Sequence, residues 1–305
     1  MEKTLTFTSV NKLTDISCMV LKPVGKVEKT LIIAHGIGQH SRCFKELAEV
    51  LVAKNVAVYA IDFVGHGKSI GPDQKPMYFG ENGWDTLVGD LISLNKIVKE
   101  EYPRIPCYLL GFSMGSFVVR TAMAERKNEL HIDGAILAGT GYLAPFMANL
   151  VKRLVAVEAK KVGADNVSEK VNELAFGNYN KYFKPTKTAY DWLCCSEEGI
   201  KEYIDDPDTY KFITPGMFMD LLGGMARVNK KEAVRNSKMV PVLFLAGNND
   251  PVGEFGKGVK KAANVFAEVN PDVEVKMYPD SRHDIFHDNF KDFVMTDICE
   301  WLNKH

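Results

Sequence analysis

The chain has 305 residues, 46% of them hydrophobic and 25% charged, enough apolar material for one large core with a sizeable insertion, or for two domains. A formal net charge of -1 argues against nucleic acid as a partner. The start, Met1-Glu-Lys-Thr-Leu-Thr-Phe-Thr8, holds no hydrophobic signal core, and no window approaches the length of a membrane span, so the expectation is a cytoplasmic protein. Six cysteines, at 18, 43, 107, 194, 195 and 299, form no Cys-x-x-Cys pair and no zinc spacing with histidine, and read as buried fillers or incidental thiols.

In chain order, two short strand patterns over 4–9 and 15–22 predict an antiparallel edge. Strand 30–35, a helix over 42–54, strand 56–61, a helix over 83–101, strand 106–111, helix 114–126 and strand 132–138 then alternate as a parallel sheet requires. From 142 to 236 the periodicity is helical, with no buried strand. The alternation resumes with the apolar run Val240 to Ala246, a helix over 254–269, the strand Asp272 to Tyr278 and a closing helix over 287–303.

Gly111-Phe112-Ser113-Met114-Gly115 follows the strand 106–111 and opens a helix, the pattern of a nucleophile elbow. Glycines on either side of the serine let strand and helix approach closely, and the strained turn holds Oγ out toward a base. In doubly wound serine hydrolases the acid and the histidine follow in that order, each on a loop after a later strand. Gly247-Asn-Asn-Asp250-Pro251 ends one such strand and supplies Asp250 as the acid. The strand before it ends in Gly139-Thr140-Gly141, without a carboxylate. Chain order leaves His283, His287 and His305 as candidate bases; His283, in the loop after Tyr278, is the choice and His287 the reserve. Asp280 and Asp284 read as solvated loop charges. Two backbone N–H groups are expected to hold an oxyanion: Met114, next to the nucleophile, and Ile37, between two glycines after strand 30–35.

These stretches together resemble the α/β-hydrolases of the monoacylglycerol lipase and lysophospholipase branch, also described as serine aminopeptidase-like. The resemblance rests on His35-Gly-Ile-Gly-Gln-His40-Ser-Arg42, Asp62-Phe-Val-Gly-His66-Gly-Lys-Ser69, Leu110-Gly-Phe-Ser113-Met-Gly115, Leu245-Ala-Gly-Asn-Asn-Asp250-Pro and Tyr278-Pro-Asp-Ser-Arg-His283. It runs from about residue 31 to 290. Where the branch usually has Gly-His-Ser-Met-Gly-Gly, this chain has Phe112 and Ser116, which changes the pocket floor but no triad position. Asp62 and His66 are implied to form a structural loop near the site.

The resemblance implies an α/β fold: a mostly parallel eight-stranded sheet with helices on both faces. Residues 1–141 and 237–305 form the core, and 142–236 a helical cap inserted between the sixth and seventh strands. In the cap, Phe146 and Leu150 belong to an apolar stripe running from Leu143 to Val155, with Lys152, Arg153, Lys160 and Lys161 elsewhere on the helix. Such a stripe suits an acyl tunnel, a transient membrane-surface contact, or ordinary packing on the core. With Tyr179, Trp192 and Met217 these residues are the candidate substrate-binding set.

The implied activity is hydrolysis of carboxylic esters, of monoacylglycerols or lysophospholipids, through an acyl-enzyme, with no metal and no organic cofactor required. The alternatives are an aminopeptidase of the prolyl-iminopeptidase type, which would use cap carboxylates such as Glu173, Asp191 or Asp206, and a non-catalytic binding protein on the same fold. Oligomeric state is left open.

Overall fold

The computed structural model describes residues 2–305. Eight strands form a single sheet. They are β1 (Glu2–Thr8), β2 (Asp15–Leu21), β3 (Lys29–Ala34), β4 (Val56–Ile61), β5 (Cys107–Phe112), β6 (Gly134–Ala138), β7 (Val242–Gly247) and β8 (Val273–Tyr278), in the spatial order β1-β2-β4-β3-β5-β6-β7-β8. β1 and β2 run antiparallel at one edge and the other six are parallel. The reason lies in the side chains. β4, β5, β6 and β7 are buried at every position, as apolar runs covered on both faces must be, whereas β1 alternates between half-buried and exposed.

The core helices are α1 (Lys45–Val52), α2 (Gly83–Glu101) and α3 (Met114–Glu125) in the first half. Between β6 and β7 lie α4 (Pro145–Val162), α5 (Glu169–Phe176), α6 (Glu197–Asp205), α7 (Pro215–Val228) and α8 (Lys231–Arg235), with no strand among the described residues of that interval. α9 (Lys257–Ala267) and α10 (Lys291–Lys304) complete the chain. Local sequence accounts for the helix ends in the interval. Pro145 and Pro215 occupy first turns, and Gly163 stops α4 at φ 96°. Ser168, Ser196 and Thr214 cap the N-termini of α5, α6 and α7 through Val171, Gly199 and Met217 N–H. Among the described residues no helix is long and apolar enough to cross a membrane.

Three expected boundaries move, each for a local reason. The helix expected over 42–54 begins as a 3-10 turn, Ser41–Phe44, before α1. α9 starts at Lys257 because Glu254, Phe255 and Gly256 all hold positive φ. α10 starts at Lys291, so His287 sits in a turn, where the side chains of Asp284 and Asp288 accept backbone N–H groups.

The loop after β6 and the loop after α7 meet at one buried side chain. Arg120 of α3 donates to Gly141 O (3.1 Å), just beyond β6, and to Asn229 Oδ1 (2.6 Å), just beyond α7. It lies against Phe117 and Phe266 at 5.4 and 5.8 Å, and burial pushes its pKa down to about 9. Here this mid-helix arginine ties the loops after β6 and after α7 to the core.

Candidate active site

Strand register brings the site together. Ala34 pairs with Gly111, Phe112 with Ala138, Ala138 with Leu245 and Gly247 with Tyr278, so the loops after β3, β5, β7 and β8 emerge at one edge of the sheet. Ser113 links β5 to α3 with φ 50° and ψ -116°, a strained conformation. The glycines beside it are obligatory. A Cβ at Gly115 would lie 2.0 Å from Ala34 O, and one at Gly111 would lie 2.6 Å from Gly115 O.

His283 Nε2 lies 2.9 Å from Ser113 Oγ, and His283 Nδ1 lies 3.0 Å from Asp250 Oδ2. Because Nδ1 faces a carboxylate it carries the proton, which leaves the Nε2 lone pair to accept from the serine hydroxyl. Asp250 is fully buried, and its other oxygen accepts the Val252 N–H at 2.8 Å. The imidazole lies between Phe112 and Trp192, with ring centroids 5.2 and 5.7 Å away. Trp192 comes from the helical interval, so that segment packs directly on His283.

In the loop after β3, nearly every backbone polar group is engaged. Gly36 N–H donates to Gln39 Oε1 (3.2 Å), Gly38 N–H to His66 Nε2 (3.3 Å), and Gly38 O accepts from Tyr210 N–H (2.8 Å). Gly36 O accepts from His35 Nδ1 at 2.7 Å. Ile37 N–H has no acceptor among the described residues, and Ile37 lines the same cavity as Ser113. Met114 N–H is the first amide of α3 and has no intrahelical acceptor. Burial pushes both His35 and His66 down to about 3, so they brace this loop as neutral rings.

Asp284 departs from expectation. It is buried, not solvated, and accepts from Gln39 Nε2 (2.9 Å) and His287 Nδ1 (2.9 Å). Burial opposes charge on His287, but the Asp284 carboxylate, with Glu202 behind it, outweighs burial and holds His287 up at about 9. Asp280 is exposed, as expected. The His283 loop is also sewn to the helical interval: Asp284 N–H donates to Leu193 O (2.6 Å), Arg282 to Cys194 O (3.1 Å), and Asp288 accepts from Cys195 N–H (2.9 Å).

Ser113 and His283 open into a cavity of about 820 Å³. Tyr179 and Trp192 line it; Phe146, Leu150 and Met217 do not. The correction follows from helix direction. α4 turns Ala148, Val151 and Val155 inward, leaving Phe146 and Leu150 exposed at 70% and 50%, and Met217 is fully buried in the core. Leu143, Val151, Phe218, Leu221, Leu222 and Met225 supply the apolar wall instead. Of the cap carboxylates, Glu169 and Glu173 reach the cavity lining. Asp191 accepts Lys187 and Thr188 N–H groups (2.6 and 2.9 Å), and Asp206 pairs with His40 (2.8 Å).

Two clusters bring three potential metal ligands within 4.8 Å of one another: His40, Cys43 and Asp206, and Asp272, Glu274 and His305. In the first, His40 Nδ1 accepts the Arg42 N–H, so Nε2 carries the proton it gives Asp206 and offers no lone pair. All six cysteines are free.

A family model described as serine aminopeptidase, S33, matches residues 25–289. The monoglyceride lipase of Rattus norvegicus is 36% identical over 301 residues, covering 94% of this chain and 86% of that protein. The monoglyceride lipase homolog of Monkeypox virus is 26% identical over 290 residues, 94% of each chain. Among solved structures, a highly thermostable carboxyl esterase from Bacillus coagulans in complex with glycerol aligns with a TM-score of 0.91 at 26% identity, over 99% of this chain and 98% of that one. A soluble variant of monoglyceride lipase from Saccharomyces cerevisiae in complex with a substrate analog aligns with a TM-score of 0.77 at 18% identity, over 100% and 95% of the two chains, and shares the fold.

Proposed function

This chain belongs to the serine aminopeptidase S33 family, on its monoacylglycerol lipase branch of α/β-hydrolases, and is a serine ester hydrolase; from that premise we propose that it cleaves long-chain monoacylglycerols, with Ser113, His283 and Asp250 as its triad. One observation carries the lipid reading: the serine faces a large cavity whose wall is built mainly of aliphatic, methionine and aromatic side chains. Residues 142–236 act as the cap over that cavity.

The chemistry follows from the geometry. His283 Nε2 takes the proton from Ser113 Oγ as the oxygen attacks the ester carbonyl. The negative oxygen then faces the N–H groups of Ile37 and Met114. As the tetrahedral adduct collapses, His283 returns the proton to the departing glycerol oxygen, leaving an acyl-serine. Water enters, gives a proton to His283 and attacks the acyl carbon; as the second adduct collapses, His283 returns that proton to Ser113 Oγ and the fatty acid leaves. Asp250 holds the imidazole in the tautomer this requires and stabilises its charged form.

Outside the cavity, Phe146, Met147, Leu150, Leu154 and Val157 form an exposed apolar strip on α4, with Lys152, Arg153, Lys160 and Lys161 on the same helix. The strip and its basic neighbours suit transient docking on an anionic lipid surface, from which a monoacylglycerol would be drawn. Glu169 and Glu173 in the lining favour a second reading, an aminoacyl hydrolase that binds a free amine.

A substrate panel tests both. p-Nitrophenyl esters from acetate to palmitate are compared with monoacylglycerols, lysophosphatidylcholine and an aminoacyl p-nitroanilide. A climb in kcat/KM with acyl length, with monoacylglycerol above lysophosphatidylcholine, is expected. Turnover confined to the anilide would replace the lipase reading with the peptidase one.

A further inference from the structure

The triad leaves unused a chain of polar groups beside it: the buried Gln39 and Asp284, and the half-buried His287. Gln39 makes two contacts with the loop that carries Ile37. Its side-chain Oε1 accepts Gly36 N–H at 3.2 Å, and its backbone N–H donates to Gly36 O at 3.3 Å. Its Nε2 donates to Asp284 Oδ2 at 2.9 Å, and the same oxygen accepts from His287 Nδ1 at 2.9 Å. Asp284 Oδ1 takes Phe286 N–H at 3.2 Å, which fixes the carboxylate's orientation from its own loop. Gln39 is 5% exposed and Asp284 also 5%, so neither contact is loosened by bulk water.

We propose that Gln39, Asp284 and His287 are positioning residues that hold the Gly36–Gly38 turn so that the Ile37 N–H stays aimed at the developing oxyanion. The inference rests on the serine-hydrolase reading above. Its logic is one of constraint. The turn has glycines on both sides of Ile37, and Gly38 sits at φ 74°, so its backbone is soft unless fastened from outside. His66 and Tyr210 fasten the Gly38 end; on the Gly36 side, the N–H is held by Gln39 alone among the described residues. The Gln39 amide is in turn anchored at its nitrogen by Asp284. His287 supplies the charge that keeps Asp284 ionised within the protein: burial alone would raise the Asp284 pKa, and His287 holds it below the usual carboxylate range. The groups facing His287 are Asp284 on its own loop, Glu202 from α6, and the carbonyl of Cys43 from the 3-10 turn; His283 acts on Asp284 itself.

The test substitutes Gln39→Met, which keeps the side chain's length and removes both side-chain hydrogen bonds. Loss of a complete oxyanion donor costs about 10² to 10³ in kcat, so loosening one should cost about tenfold to hundredfold. The expected result is that loss in kcat with KM changed less than about threefold. Affinity for a long-chain trifluoromethyl ketone, whose adduct with Ser113 carries the oxyanion, should fall by the same factor. Affinity for a monoalkylglycerol ether, which has no carbonyl, should hold. Asp284→Asn, which still offers an acceptor to Gln39, should lose less than Gln39→Met, and thermal melts establish that each variant is folded.

A folded Gln39→Met enzyme with kcat within twofold of the parent overturns the proposal. So does an equal loss of affinity for the ether, which would make Gln39 a head-group contact instead. Ser113→Ala is run alongside: if it retains turnover, the catalytic reading itself fails, whereas an inactive Ser113→Ala beside a fully active Gln39→Met removes the relay alone.

Discussion

Replacing Val151 with Asp should flatten the preference for long acyl chains, while replacing the adjacent Leu150 with Asp should not. The two residues are neighbours on α4 but point about 100° apart around it: Val151 lines the cavity and Leu150 is 50% exposed. Each methylene that leaves water for the apolar cavity contributes about 0.8 kcal/mol, close to a fourfold gain in kcat/KM. From acetate to octanoate, six methylenes would sum to about 5 kcal/mol as an upper bound. A carboxylate in the wall penalises whatever chain segment lies against it by about 1–3 kcal/mol, so octanoate and longer esters should drop roughly 5- to 150-fold. Acetate is too short to reach the wall and should stay within about twofold. The assay is p-nitrophenyl ester hydrolysis with monodisperse substrates from acetate to decanoate, with thermal melts of both variants. If acetate and decanoate fall together in Val151→Asp, the residue holds the fold together and the cavity argument is wrong. If Leu150→Asp is the variant that flattens the profile, α4 has been assigned the wrong inner face.

Ser113→Ala should abolish labelling by a fluorophosphonate probe and reduce turnover by several orders of magnitude; retained labelling would assign the nucleophile elsewhere. Asp250→Asn should fold normally yet lose on the order of 10⁴-fold in rate, since the amide favours the wrong imidazole tautomer, and a loss under tenfold would count against Asp250 as the acid. His283→Ala should be far more damaging than His287→Ala; the reverse order would exchange their roles. The His287–Asp284 pair also predicts a pH dependence of stability. Because His287 is held up at about 9 from an ordinary 6.5, its contribution is complete below 6.5 and is lost as the pH rises through about 9. Denaturation midpoints from pH 6 to 10 should therefore decline across that window in the parent and less so in His287→Gln, and parallel declines in the two would refute the assignment.

The candidate triad's geometry was legible in the sequence because its determinants are local. A glycine-flanked serine between an apolar strand and a helix, and a carboxylate and a histidine each just beyond a later strand, are patterns of a few residues whose geometry the backbone dictates. The strand ends then align through the sheet register, which brings Ser113, Asp250 and His283 within hydrogen-bond reach. The helical interval was legible as helices but not as surfaces. On α4 the apolar residues cover so much of the helix that periodicity alone does not say which side faces in, and packing turns Val151 inward and Phe146 and Leu150 outward. A signal for the pair was present in Asp284 and His287, spaced three apart, yet Asp284 also fits a solvated loop and His287 the start of the closing helix. The burial of Asp284 depends on Gln39, 245 positions away, and on Leu193 from the helical interval. Arg120 in the middle of α3 is likewise buried through partners distant in sequence, Gly141 and Asn229. Short-range patterns specify turns, strands and the order of the chemistry; burial of a polar group depends on partners distant in sequence, and only the folded chain supplies them.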